Sequence, residues 1–281
     1  RCAPITFPSF DLNDSPPRSE SNPGLQAAAG VAKMPLGMIL ITSDVHVRPD
    51  DPERADRFAR FIESRLRLSP LREIYILGDL FDFWIGPRQP RTPAIRRVFG
   101  ALERAARQGI FVGFVPGNRD FHLDAGVLEP LGIQRLGEVH HIVTPAGRLC
   151  LAHGDQFCTR DAPYRITRAV IRSLPARLAW RALPPETAMH LAGGFRSLSL
   201  RSVRRKSTAT MAISNRELAK ALRAGADAII CGHVHQQAHR RIEFQGVKGD
   251  LFTLAGWEEG EPHLIVERDR IFFGNGIHHD D

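Results

Sequence analysis

The chain has 281 residues, 43% of them hydrophobic, and a formal net charge of +7. That length holds one large α/β core with room for an inserted subdomain, and no apolar run approaches the ~18 residues that cross a bilayer as a helix. The positive balance points to anionic partners: phosphorylated substrates, an acidic membrane surface or nucleic acid. Cys2, Cys150, Cys158 and Cys231 show no C-x-x-C spacing, and two of them end apolar runs. This pattern suits buried free thiols, excludes a disulfide framework and points to a reducing, cytosolic compartment.

Residues 1 to 35 carry Pro4, Pro8, Pro16, Pro17 and Pro23 among several Ser and Asn, with neither a helix nor a strand period. They lack the basic start and apolar core of a secretory signal, and read as a disordered or tail segment. Met34 or Met38, just before the first strand, is the candidate start of the folded part. A domain is expected over residues 36–276.

From Met38 the pattern alternates. Met38–Thr42 reads as a strand, Pro52–Leu68 as a helix with Phe58, Phe61, Ile62 and Leu66 on one face, and Glu73–Leu77 as the next strand. Thr92–Gln108 reads as a helix ended by Gly109, followed by a strand over Ile110–Val115. Such alternation predicts parallel strands joined by crossover helices. Beyond residue 130 the spacing shortens, and Ile133–Leu136, Val139–Val143 and Arg148–Ala152 are expected as adjacent antiparallel strands. Helical character returns from Asp161 to about Gly225, a strand follows at Ala228–Cys231, and three short strands are expected near Ala238–Phe244, Lys248–Ala255 and His263–Glu267.

The segment from Arg160 to Lys206 holds many Arg residues and only two acids, Asp161 and Glu186. Ile166, Val170, Leu174, Trp180, Leu183 and Phe195 are among the apolar residues that interleave. A charge run is often only a solvated helix face. A basic amphipathic stretch set between two motif turns reads better as a helical cap, holding a phosphorylated, partly apolar substrate and touching an anionic membrane.

The chemistry lies in the turns that end the strands: Ser43-Asp44-Val45-His46, Gly78-Asp79-Leu80-Phe81-Asp82, Gly117-Asn118-Arg119-Asp120, His153-Gly154-Asp155 and Gly232-His233-Val234-His235. Open α/β sheets bind ligands at this C-terminal edge. Asp44, His46, Asp79, Asn118, His153, His233 and His235 together offer imidazole, carboxylate and amide oxygen without thiolate, a set suited to Mn²⁺, Fe²⁺ or Zn²⁺. They are too many for one ion, and a pair of ions sharing one carboxylate fits. Such a pair clamps a phosphoryl group and lowers the pKa of a bound water. Any one of these residues alone would read as a turn Asp or a core histidine; their joint placement carries the reading.

Asp-x-His, Gly-Asp, Gly-Asn, His-Gly-Asp and Gly-His-x-His in this order resemble the calcineurin-like metallophosphoesterase superfamily, over about residues 38 to 274. The resemblance implies a four-layer β-sandwich flanked by helices, here with the cap inserted at about 160–206. It implies that Asp44, His46 and His235 hold one metal, that Asn118, His153 and His233 hold the other, and that Asp79 bridges them. Gly78 to Gly86, Gly117 to Phe121 and His153 to Tyr164 further resemble the UDP-2,3-diacylglucosamine pyrophosphohydrolases of lipid A synthesis. That likeness implies hydrolysis of the diphosphate to UMP and diacylglucosamine 1-phosphate, with two divalent ions, Mn²⁺ first among them, at a peripheral membrane position. By this resemblance Arg119, Asp79 and Asn118 are catalytic, and Arg119, Asp161, Tyr164, Lys206 (with Ser207) and His233 contact substrate. Gly232 to Gln237 departs from the pattern, lacking its Thr and Arg-Pro. No aromatic stacking platform or groove-reading motif is present, so no nucleic-acid partner is expected.

Arg119 bears on the reaction independently. The superfamily commonly has His there, placed to protonate an alkoxide, whereas Arg does not surrender its proton. Arg suits a leaving group that departs without acid, such as a phosphate monoester released from a diphosphate, and donates bidentate hydrogen bonds to phosphate oxygens. The competing structural role is an ion pair with Asp120 or Asp124.

Overall fold

The computed structural model describes residues 5–6, 37–67, 70–158, 213–258 and 260–274, with scattered positions (173, 175, 180, 182–184, 186–188, 191 and 194) between. In chain order the elements are β1 (Ile5–Thr6), β2 (Met38–Thr42), α1 (Pro52–Leu66), β3 (Leu71–Leu77), α2 (Pro93–Arg107), β4 (Phe111–Val115), α3 (Ala125–Leu128) and β5 (Ile133–Arg135). They continue with β6 (Val139–Thr144), β7 (Gly147–Ala152), α4 (Asn215–Arg223), β8 (Ala228–Cys231), β9 (Ala238–Phe244), β10 (Val247–Thr253), β11 (His263–Glu267) and β12 (Arg270–Gly274).

Both long helices start where the sequence supplies a cap. The Asp51 carboxylate accepts from Arg54 N at 3.0 Å, and Thr92 Oγ1 accepts from Ile95 N at 3.5 Å. Pro52 and Pro93 follow at first-turn positions, where the missing N–H has no intrahelical partner to lose.

The strands form two mixed sheets, a seven-stranded one in the order β1-β12-β11-β2-β3-β4-β5 and a five-stranded one in the order β6-β7-β8-β10-β9. In the first, β2, β3, β4 and β5 are mutually parallel; in the second, β7, β8 and β10 are parallel. The period of two along each strand sorts the core into layers. Ile39, Ile41, Tyr75, Leu77 and Val115 face Leu149, Leu151, Ile230 and Phe252 of the other sheet. Leu40, Ile74, Ile76, Val112 and Phe114 face the opposite way and pack against Phe58, Phe61 and Ile62 of α1 and Val98 and Leu102 of α2. Cys150, Ile229, Cys231 and Leu251 back onto Leu218 and Leu222 of α4. The result is helix, sheet, sheet, helix. Cys150, Cys158 and Cys231 are buried, Cys150 and Cys231 within apolar strands as the sequence implies.

Two expectations need correction. β5 does not pair with β6 in an antiparallel run; it joins β4 in parallel at the edge of the larger sheet, so the chain changes sheets between β5 and β6. Local spacing does not show this, because the partner strand lies across a helix in sequence. The chain also continues past β11 into β12, which pairs with it antiparallel. β1 pairs antiparallel with β12; the rest of the expected tail lies outside the described residues.

Most of the expected cap lies outside the described residues. Two of its positions touch the loop after β3: Trp180 Nε1 donates to Ile85 O at 3.2 Å, and Arg88 donates to Leu183 O at 2.8 Å. Among the described residues, no helix is long and apolar enough to cross a membrane.

Candidate metal centre

The turns after β2, β3, β4, β7 and β8 meet at one edge because parallel strands in each sheet point their C-terminal ends the same way. Backbone bonds stitch them together within each sheet: Asp44 N to Gly78 O (3.1 Å), His46 N to Asp79 O (2.8 Å) and Gly232 N to His153 O (2.8 Å). The sheets are tied to each other there too. His233 N donates to Asp44 Oδ2 at 2.9 Å, and His153 Nδ1–H donates to Leu77 O at 2.8 Å, which turns Nε2 toward the centre.

Asp44, His46, Asp79, His233 and His235 all have φ between 51° and 68°. This left-handed conformation is uncommon for residues with a Cβ and concentrates at functional sites. Glycines make the close approaches possible. A Cβ on Gly117 would strike Asp79 N and Oδ1, and one on Gly232 would strike the Asp44 carboxylate and Ser43 Oγ.

All the strand-end candidates converge. Asp44, His46 and His235 bring ligand atoms together in one group, and Asp44, Asp79 and His153 in a second. In the first, His235 Nε2 lies 3.4 Å and His46 Nε2 3.8 Å from Asp44 Oδ1. The two Nε2 atoms are 3.1 Å apart. Around the second, Asn118 Oδ1 lies 2.9 Å from His153 Nε2 and 3.1 Å from His233 Nδ1. Asp79 reaches both groups, Oδ2 lying 3.8 Å from His46 Nε2 and Oδ1 3.6 Å from His153 Nε2. Asp44 also belongs to both, which a reading centred on Asp79 alone does not anticipate.

The donor chemistry fits divalent cations. Asp44 Oδ1 is buried with no hydrogen-bond partner, and it faces ring nitrogens rather than amides. Carboxylate, amide oxygen and imidazole without sulfur suit Mn²⁺, Fe²⁺ or Zn²⁺; the arrangement does not choose among them.

The charges respond to this crowding. Burial alone would raise the Asp44 pKa, but contact with His235 and the positive potential of His153, His235 and His46 hold it below the usual carboxylate range. Burial pushes His233 down to about 4 and also lowers His46. His235 goes the other way, to about 10: burial opposes the charged form, but Asp44 and Glu258 outweigh it. His153 is raised as well, burial being overcome by Asp79, Asp44 and Asp155.

Arg119 sits beside the shared carboxylate. Its backbone N donates to Asp79 Oδ1 at 3.0 Å, its Nε lies 3.5 Å from Asp79 Oδ2, and its guanidinium reaches Asp82 Oδ1 at 3.4 Å. The expected alternative partner, Asp120, has a different task. Its Oδ1 accepts from Asp79 N (3.2 Å) and Gly117 N (3.1 Å), and its Oδ2 from Leu80 N (2.7 Å) and Phe81 N (3.3 Å). One buried side chain thus locks the Gly-Asp and Gly-Asn turns together. Burial and the Asp79 charge push its carboxyl up to about 7, against those amide donors. His122 lies between Phe121 and Trp180, parallel to the indole with centroids 5.8 Å apart.

Asp161, Tyr164 and Lys206 lie outside the described residues. Sequence reasoning passed over Glu258, whose Oε1 lies 3.2 Å from His235 Nδ1. It follows a buried Trp, but no local pattern marks it.

Comparison with known proteins identifies the family. The family model described as calcineurin-like phosphoesterase matches residues 37–237. A UDP-2,3-diacylglucosamine hydrolase of Azotobacter vinelandii is 31% identical over 240 residues, 85% of this chain and 96% of that protein. One from Pseudomonas putida is 30% identical over 222 residues, 79% of this chain and 91% of that protein. Among solved structures, YfcE, a phosphoesterase from E. coli, is 15% identical, covers 83% of this chain and 90% of its own, and has a TM-score of 0.41. The turns that converge on Asp79 all lie within the matched span, and the chain belongs to the calcineurin-like phosphoesterase family.

Proposed function

We propose that this metal-dependent phosphoesterase hydrolyses the diphosphate of a nucleotide-diphospho-lipid, with UDP-2,3-diacylglucosamine as the substrate and UMP and diacylglucosamine 1-phosphate as products. The observation that carries the reading is Asp79, whose two oxygens face two separate ligand groups while Arg119 lies against the same carboxylate. The named relatives supply the lipid nucleotide.

In this reading Asp44, His46 and His235 would hold one divalent ion and Asn118, His153 and His233 the other, with Asp79 serving both. When bound, the ions supply Lewis-acid polarisation of a phosphoryl group and a water of lowered pKa. The chain's residues do the rest. Asn118 Oδ1 lies close to His153 Nε2 and His233 Nδ1, so the three candidate donor atoms of this group converge on one point. Asp82 and Asp79 hold the Arg119 guanidinium at the rim, where its side chain keeps 20% of its exposure and remains within reach of a ligand. A fork of donors there stabilises charge building on phosphate oxygens. Arg119 does not protonate a leaving group, so the reaction should be one whose product departs as a stable anion. Asp161, Tyr164 and Lys206 complete the substrate contacts, and the basic cap carries the enzyme to the inner face of an anionic membrane.

The test is product analysis with Mn²⁺ on UDP-2,3-diacylglucosamine beside bis(p-nitrophenyl) phosphate. Release of UMP and the lipid monophosphate, abolished by chelator, is the expected result. Cleavage of the diester alone would keep the metal site and remove the lipid nucleotide.

A further inference from the structure

The residues around Trp257 form a strap beside His235, and it lies beyond the span matched to the family. Trp257 is fully buried. Its indole Nε1 donates to Thr42 Oγ1 at 3.1 Å, and Thr42 Oγ1 donates to Pro262 O at 2.9 Å. Phe58 and Phe61 of α1 flank the indole with centroids 5.4 and 5.3 Å away. The Arg57 guanidinium lies over the ring and donates to the Trp257 carbonyl. The backbone at 257 is therefore fixed against α1 and β2 at once.

Two contacts leave this anchored segment for the metal centre. Trp257 N donates to Asp44 O at 3.2 Å, and the Glu258 carboxylate meets His235 Nδ1 at 3.2 Å. In the neutral ring that binds a metal, Nδ1–H held by Glu258 leaves the His235 lone pair on Nε2, the atom that faces Asp44 Oδ1 and His46 Nε2. Outer carboxylates of this kind fix the tautomer and ring direction of a ligating histidine and raise its basicity. Asp44 is shared by both ligand groups and is met only at its backbone carbonyl, whereas His235 belongs to one group alone, so the Glu258 contact singles out that group.

We propose that Glu258, held in place by Trp257, is a positioning residue for His235 that sets the affinity of one of the two metal sites and leaves the other unaffected. This rests on the reading of Asp44, His46 and His235 as ligands to one ion. The Glu258 side chain is 54% exposed, so truncating it opens no cavity. Glutamine keeps an oxygen that can accept from Nδ1–H, whereas alanine keeps none.

The experiment loads the full chain, stripped and then titrated with Mn²⁺, and follows bound metal together with the electron paramagnetic resonance of the bound ions. Wild type should bind two ions whose spectra are magnetically coupled. In Glu258→Ala one ion should bind about 10–100-fold more weakly, and at limiting metal the spectrum should be that of an isolated Mn²⁺. Glu258→Gln should recover most of the affinity and the coupled spectrum. Two tight ions in Glu258→Ala, equal weakening of both, or no recovery with Gln would each overturn the positioning role. Failure of wild type to bind two ions would instead overturn the two-ion reading itself.

Discussion

Arg119 and Asp79 share one contact but should fail differently. Lysine at 119 keeps the charge and loses the planar fork, so Arg119→Lys should lower kcat on a diphosphate by about 100-fold while bound metal stays at the wild-type level. Arg119→His supplies a dissociable proton where the arginine has none, and should raise the rate on simple alkyl phosphodiesters relative to the diphosphate. Asp79→Ala and His153→Ala should reduce turnover to background; full activity of either at ordinary metal levels would remove the site as the seat of reaction. Asp79→Ala should weaken both ions, because its two oxygens face both groups. These residues were legible in the sequence because each ends an apolar run in a polar, ligand-type turn. The roles of Asp120 and Glu258 were not legible, since a carboxylate that accepts backbone amides or orients an imidazole carries no spacing signature.

At the scale of the element, the site depends on turns held in left-handed backbone by a few contacts. Asp120→Asn replaces one acceptor oxygen with an NH₂ group that faces amide donors, and should cost about 1–3 kcal/mol of stability, read from urea unfolding of the metal-free protein. Metal affinity should fall with it, because the turns carrying Asp79 and Asn118 are tied through that one side chain. Elements with long apolar faces declared themselves, α1 through its period and α2 through the Gly109 that ends it. β5 did not. Three residues give too little pattern to select a sheet, and its pairing with β4 depends on where α3 returns the chain.

At the scale of the whole molecule, stability should depend on pH through a histidine remote from the centre. His263 on β11 is fully buried, its Nδ1–H donating to Glu261 O at 2.7 Å. Burial lowers its pKa from 6.5 to about 4. Between those values the unfolded chain binds a proton that the folded chain refuses. Stability present above pH 6.5 is therefore lost as pH falls toward 4, by about 3 kcal/mol in full. Urea midpoints of the metal-free protein from pH 8 to 5 should fall less steeply in His263→Gln than in wild type, with His233 and His46 supplying the slope that remains. Equal slopes would show that His263 contributes nothing to the acid sensitivity.

The sequence by itself determined the inventory of candidate ligands, the strand-end turns that carry it, the parallel crossover units of the larger sheet and the buried thiols. Those are local properties: an apolar run, the turn that ends it, and the residue types in that turn. Only the tertiary structure decided that Asp79 presents one oxygen to each ligand group, that Asp44 belongs to both, and that a strap anchored by Trp257 reaches His235. These follow from stacking one sheet on the other, which sets distances between residues far apart in the chain to within a hydrogen bond. No periodicity along the chain encodes such a distance.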